Sequence, residues 1–131
     1  MAARSNVVQP RPEKIIRPIM DCVRWLTNIL HRGGAEEIRV TRGSPDGKIR
    51  GWVEKIVDGT PKRLRFRSVS SSRLAGPVMA KFKIMAKLDF AEKTLPQQGC
   101  FKIDLLGIDA VLFEVSTSVS EGIETLTLRK V

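Results

Sequence analysis

The sequence predicts an α+β fold in which two main helices pack on an antiparallel sheet of about five to six strands. Three observations lead to this prediction. The hydrophobic period changes from about 3.6 residues to 2 after the first helical pattern, turn signatures separate the extended runs that follow, and a second helical pattern precedes the last strands. A chain of 131 residues, 42% of them hydrophobic, is long enough for one domain with an ordinary core.

The first helix is expected from Glu13 to the pair Gly33-Gly34, because apolar residues recur there at three-to-four spacing. These residues are Ile15, Ile16, Ile19, Cys22, Val23, Leu26, Ile29 and Leu30. The stretch Met1–Pro12 shows no such period, which predicts a flexible leader. Pro18 fits the first turn of the helix or marks its start. His31 falls in the last turn, where positive charge suits the helix dipole, so the pattern favours a structural role for this histidine over a catalytic one.

Three short strands are expected next, arranged as an antiparallel meander. They are Glu37–Thr41, Ile49–Val57 and Lys62–Val69. The turns between them are predicted at Ser44-Pro45-Asp46-Gly47 and at Asp58-Gly59, because glycine supplies the positive φ that such turns need. In the third run Leu64 and Phe66 alternate with arginines, which places the arginines on one face of the strand.

A second helix is expected after Ser70-Ser71-Ser72, which offers caps, with its entry at Pro77. Its apolar stripe comprises Val78, Met79, Phe82, Met85 and Leu88. Two or three more strands then complete the domain. They are predicted at Cys100–Leu106, Ala110–Val119 and Glu124–Arg129.

The formal net charge of +9 favours an anionic partner such as nucleic acid, an acidic protein face or a membrane surface. A candidate basic patch combines the arginines of the third strand with lysines on the solvated sides of the second helix: Arg63, Arg65, Arg67, Lys81, Lys83 and Lys87. These charges either bind a partner or are ordinary solvated residues. Trp25 is expected to fill the core, whereas Trp52, next to Gly51, fits the core or a partner-binding site.

Several classes of function lack their sequence signatures. There is no GxxxxGK[ST] loop, GxGxxG, HExxH or nucleophile elbow, so no enzyme, cofactor or catalytic residue is predicted. No apolar run is long enough to cross a bilayer and no signal peptide is present, which predicts a soluble, cytoplasmic protein. Cys22 and Cys100 lie far apart in sequence, without metal-binding neighbours, and both are expected to be reduced structural thiols.

The segment from Lys83 to Phe101, KIMAKLDFAEKTLPQQGCF, resembles the signature of type II secretion and type IV pilus assembly ATPases. In that family a helix ending "KIMAxLDIAE" leads into "RLPQDGRF" and a strand. Three further segments resemble family blocks in the same order: Gly34–Val40 is similar to "GASDIHIE", Val57-Asp58-Gly59 to "RIDG", and Phe113–Thr117 with Glu124 and Leu128-Arg129 to "LRVST...GE...LR". The resemblance covers Ile15 to Val131 and implies the PAS-like domain that precedes the P-loop motor.

In the family, arginines of this domain face the nucleotide phosphates of the motor. The corresponding positions here are Glu54, Ile56, Thr94, Cys100 and Glu114, so the resemblance implies that these contacts are lost, with the charge reversed where a glutamate stands. The sequence therefore predicts a non-catalytic, stand-alone adaptor or regulatory domain. It would act through protein contacts, with a secretion or pilus assembly component as the expected partner. The alternatives are a basic nucleic-acid-binding module and the N-terminal fragment of a secretion ATPase.

Overall fold

A computed structural model describes residues 12–44, 50–66, 71–105 and 108–131. The predicted α+β class is confirmed, because two helices accompany a six-stranded antiparallel sheet with the strand order β3-β2-β1-β6-β5-β4. The PAS-like label remains a prediction. The elements in chain order are α1 Pro12–His31, β1 Glu37–Gly43, β2 Arg50–Val57, β3 Thr60–Arg63, α2 Ser71–Met85, β4 Gln98–Leu105, β5 Ile108–Ser120 and β6 Ile123–Lys130.

Both helices pack on the same face of the sheet, and the core lies between them and the strands. Alternate residues of the central strands point into this core, and its fully buried members include Leu26, Phe82, Ile38, Val40, Phe113 and Leu126. Trp25 packs at the edge of the core with its ring centroid 5.3 Å from that of Phe66, as expected. The opposite face of the sheet carries no helix in the described part of the chain, and we call it the open face.

Glycine allows the second helix to approach the sheet closely. A Cβ atom built on Gly51 of β2 would lie 2.8 Å from the Cβ of Ala75 in α2, and one on Gly99 of β4 would lie 2.7 Å from the carbonyl oxygen of Ala86. Real Cβ atoms almost never come so close to other heavy atoms. Gly51 and Gly99 therefore set the distance between α2 and the sheet.

Both helices end in the same kind of cap. The amide of Gly34 donates to the carbonyl of Ile29 at 2.8 Å while Gly33 has φ +76°, which is the Schellman arrangement. At the end of α2 the amide of Leu88 donates to the carbonyl of Lys83, also at 2.8 Å, and Lys87 has φ +61°. The predicted helix end at Gly33-Gly34 is confirmed, with His31 as the last helical residue. Leu88, predicted on the stripe of α2, follows the helix instead.

The two proline predictions are wrong. Pro18 lies seven residues into α1, and Pro77 lies seven residues into α2, which begins at Ser71. A proline inside a helix lacks one hydrogen-bond donor, but it leaves the apolar period unchanged. The apolar pattern therefore does not distinguish a proline in the first turn of a helix from one in the second turn. The leader predicted over Met1–Pro12 lies outside the described residues except for Pro12, where α1 begins.

The strands differ from the prediction at their ends. β3 is shorter and earlier than the predicted Lys62–Val69, although Leu64 continues the pairing by donating its amide to the carbonyl of Val53 at 2.8 Å. Residues 67–70 lie outside the described part, as do the prolyl turn at 45–47 and Ile49. The turn at Asp58-Gly59 is confirmed, with φ of 51° and 77°, values typical of a two-residue hairpin.

Candidate functional site: the open face and the cleft beside it

The open face holds four of the five positions where the resemblance expects arginine. Strand pairing joins Cys100 to Glu114 and Glu114 to Arg129. Arg129 donates to Glu37 at 2.9 Å, and Glu37 pairs with Ile56. These five residues therefore form one row across the sheet, which we call the first row. The fifth expected position, Thr94, lies instead in the segment between α2 and β4, where its hydroxyl donates to Glu92 at 2.7 Å.

A second row runs beside the first. Gln98 pairs with Ser116, Ser116 with Thr127, Thr127 with Arg39, Arg39 with Glu54 and Glu54 with Arg63. Glu54, another position where arginine is expected, thus lies between two arginines. Within the two rows three carboxylates lie among three arginines, so this part of the open face is balanced in charge.

Glu37 is the centre of this arrangement. Its carboxylate accepts hydrogen bonds from Arg39 at 2.5 Å and from Arg129 at 2.9 and 3.1 Å, and it is buried. Burial raises the pKa of this carboxyl, but the hydrogen bonds and charges of the two arginines outweigh burial and hold the pKa below its ordinary value. Glu37 is therefore ionised at neutral pH and holds two partly exposed arginines on the open face.

Trp52 and Arg63 contact each other on the open face. The guanidinium carbon of Arg63 lies 4.3 Å from the centroid of the Trp52 ring, and its Nε lies 3.8 Å from the carboxylate of Glu54. A cation–π contact of this kind contributes about 0.5–1 kcal/mol at an exposed site. Trp52 is half-buried, and its ring is held against the strand by the arginine. A preformed tryptophan–arginine pair is typical of the residues that dominate protein interfaces.

The candidate basic patch is not one surface. Arg63 belongs to the open face, whereas the three lysines belong to α2 and its end, in the layer on the other side of the sheet. Arg65 and Lys87 are exposed and Lys81 is half-buried; Arg67 lies outside the described residues. The predicted solvated position of Lys83 is wrong, because Lys83 is only 1% exposed.

Lys83 is buried because it forms an ion pair. Its Nζ lies 2.5 Å from the carboxylate of Glu124 and donates to the carbonyl of Glu92 at 2.8 Å. Glu124 is itself buried, on the core side of β6. Sequence signals for both existed: Lys83 follows Phe82 on the buried side of α2, and Glu124 precedes Leu126 and Leu128 at a spacing of two.

A cleft lies beside this ion pair, between the end of β1, the start of β6, α2 and the segment that follows α2. It consists of two adjoining depressions, of about 260 and 100 Å³, that share Arg42, Lys93 and Glu124 as lining residues. Sequence reasoning did not single out Arg42. The alternation of Ile38, Val40 and Arg42 in β1 was nevertheless a signal, because it places a charge on the core side of the strand.

The thiols differ from each other. Cys22 is buried, and burial raises the pKa of its thiol to about 12; Cys100 is exposed on the open face. Both are free in the described structure, as expected, but the prediction of a structural role is wrong for Cys100, because residues at alternate positions of the edge strand β4 face away from the core.

Among the described residues no cluster of histidine, cysteine or acidic side chains is arranged to hold a metal ion.

Comparisons with known proteins give no assignment. No family model matches the chain, and no curated protein matches it significantly. Within the described ranges, neither helix combines the length and the apolar character needed to cross a bilayer.

Proposed function

We propose that this chain is a non-catalytic adaptor domain that binds a protein partner through its open face. The observation that carries the proposal is the two-row arrangement on that face. Positions where the resembling ATPases present arginines to phosphate are here occupied by Glu54, Ile56, Cys100 and Glu114, and they lie together on one surface. Because the positive and negative charges of the two rows balance, this surface suits a protein partner better than an anionic nucleotide.

The chemistry of the face supports a protein partner. Trp52 and Arg63 supply a large apolar ring and a planar cation of the kind enriched in interface hot spots. Around them Arg39, Glu54 and Arg129 supply charges of both signs, which favours a partner surface with complementary charges of both signs. The resemblance to secretion and pilus assembly ATPases supports the proposal that the partner is a component of such an apparatus.

The proposal is tested by co-purification from the native host, using two variants of adjacent residues. Arg63→Ala removes the guanidinium from the open face, and Lys62→Ala removes one positive charge from the next position of β3, whose side chain lies on the other face. We expect one secretion or pilus component to be enriched with the wild type and with Lys62→Ala, and to be lost with Arg63→Ala. Recovery of no such component, or equal loss with both variants, would contradict the proposal.

The nucleic-acid alternative rests on the net charge of +9. The separation of the candidate basic residues between two layers of the fold weakens it, because phosphate binding needs positive charge gathered on one surface. Titration with duplex and single-stranded DNA at two salt concentrations measures it directly. Tight binding at low salt that weakens steeply with added salt would favour this alternative over the adaptor.

A further inference from the structure

We propose that the cleft between α2 and the ends of β1 and β6 binds a doubly charged oxyanion of the phosphate type. The proposal is independent of the open face, because the cleft lies on the helix-bearing side of the sheet. Its lining comes from the end of β1, the start of β6 with the turn before it, α2 and the segment that follows α2. The lining residues used below include Arg42, Gly43, Gly76, Lys93, Gly122 and Glu124.

The cleft carries an excess of positive charge. Glu124, the one acidic residue of the lining, is paired with Lys83 at 2.5 Å and also lies opposite Arg42 in the strand register. The lining therefore holds three cations, Arg42, Lys83 and Lys93, against one carboxylate. Arg42 makes no hydrogen bond or ion pair with the described residues, although it is half-buried. A half-buried guanidinium loses hydration, and the neighbouring Glu124 carboxylate is already paired with Lys83, so an anion in the cleft would supply an interaction that Arg42 lacks among the described residues.

Gly76 leaves space for the guanidinium of Arg42. A Cβ atom built on this residue would lie 3.2 Å from Nε and 3.5 Å from Cζ of Arg42, so Arg42 lies across α2 at a position that has no side chain. Glycine inside a helix costs about 1 kcal/mol relative to alanine. Its occurrence beneath the one arginine of the cleft lining indicates that space for Arg42 offsets this cost.

The charges and geometry define the class of ligand. Three cations against one carboxylate in the lining match an anion that carries two negative charges, and the planar fork of an arginine binds two oxygens of a phosphate at once. Lys93 is exposed at the rim, where its flexible side chain can reach a bound group. A free phosphate and a phosphate group on a small molecule share this chemistry.

The test is a titration of the isotopically labelled chain with inorganic phosphate at low salt, followed by NMR. We expect saturable shifts of the Gly43, Gly76 and Gly122 amides and of the Arg42 side-chain Nε–H. Sodium acetate at the same ionic strength should bind with an affinity at least tenfold weaker than that of phosphate. A phosphorylated small molecule such as glycerol phosphate, added in a separate arm, distinguishes a free ion from a phosphate group: tighter binding than inorganic phosphate indicates that the cleft accepts the group on a larger molecule.

Three variants make the test specific. Arg42→Gln should reduce the affinity for phosphate at least tenfold. Gly76→Ala keeps every charge but displaces Arg42, and we expect it to weaken binding severalfold while the thermal unfolding temperature stays the same or rises. Lys130→Gln removes one charge at the far end of β6 and should leave binding nearly unchanged. Absence of saturable shifts, equal binding of acetate, or equal effects of Arg42→Gln and Lys130→Gln would each overturn the proposal.

Discussion

The buried pair of Lys83 and Glu124 shows how one charge can be stabilised in the core by another. Each side chain is almost fully buried, and the pair is completed by the carbonyl of Glu92. Pairing offsets the loss of hydration when both ions are present, but a single ion left in this position would be strongly unfavourable. The pair therefore ties α2 to β6 and forms one wall of the cleft.

Replacing Lys83 by methionine should lower the free energy of unfolding by about 3–5 kcal/mol, because it leaves the Glu124 carboxylate buried without its counter-ion. The double variant Lys83→Met with Glu124→Leu should recover much of this loss, since it removes both charges. Urea denaturation of the wild type, the single variant and the double variant measures both effects. A double variant no more stable than the single one would show that the pair contributes by shape rather than by charge.

Glu37 should make the stability depend on pH in the acidic range. Its pKa is lower in the folded protein than in the unfolded chain, so its contribution to stability is present above the unfolded value of about 4.3 and is lost as the pH falls through the folded pKa. At neutral pH we expect Glu37→Gln to cost about 1.5–3 kcal/mol, the range for hydrogen bonds to charged groups. The difference between wild type and variant should shrink steadily below pH 4.

Urea denaturation at neutral and acidic pH tests this expectation. Glu36→Gln is the matched control, because this neighbouring carboxylate is exposed and, among the described residues, accepts a hydrogen bond from the Gly59 amide alone. A stability difference for Glu37→Gln that stays constant down to the lowest pH would contradict the assigned ion pairs.

At the scale of elements, the contact between α2 and β2 depends on Gly51. Substitution of Gly51 by alanine would bring two Cβ atoms to 2.8 Å, so the helix or the strand would have to shift. We expect a loss of about 1–3 kcal/mol in the free energy of unfolding, the usual range for overpacking. Gly76→Ala in the same helix is the control, because there only a flexible arginine needs to move. Equal stability of Gly51→Ala and wild type would show that the packing is looser than described.

The sequence predicted which helices and strands are present better than it predicted the residues at which they begin and end. The change of hydrophobic period identified both helices and all six strands, because burial imposes that period directly. The starts expected near Glu13 and at the serine caps agree with Pro12 and Ser71. The entries proposed at Pro18 and Pro77 were wrong, since these prolines satisfy the rules for a first turn as well as those for a tolerated interior position. β3 was predicted too long for a related reason: Leu64 and Phe66 keep the alternation after regular pairing has ended.

Charged residues on the core side were harder to predict than apolar ones. The positions of Lys83, Glu124 and Arg42 follow from the same periodicity that places their apolar neighbours, but charge alone argues for solvent. The burial of such a charge is explained only by its ion-pair partner, which lies far away in the sequence. For example, 41 residues separate Lys83 from Glu124. The cleft depends on these pairings and could therefore not be predicted. The exposure of Arg63 and Arg65 could be predicted, because they alternate with apolar residues.

For the whole molecule, the two sides of the sheet have different roles in this account. The helix-bearing side contains the core and the cleft with its excess of positive charge. The two rows of the open face are balanced in charge, and this face presents Trp52, Arg63 and the exposed thiol of Cys100. Because Cys22 is buried with a raised pKa, a thiol reagent should modify the folded protein at Cys100 alone, which makes this cysteine a natural probe of the open face.

Photo-cross-linking from Cys100 tests the docking surface most directly. A maleimide cross-linker is attached to the wild type, and to a control in which Cys100→Ser removes this site and Arg24→Cys places one on the exposed side of α1. Both are activated in extract of the native host and analysed by mass spectrometry. The account predicts that a secretion or pilus component is cross-linked from Cys100 and not from the position on α1. Cross-linking of such a component from α1 alone, or of none from Cys100, would contradict it.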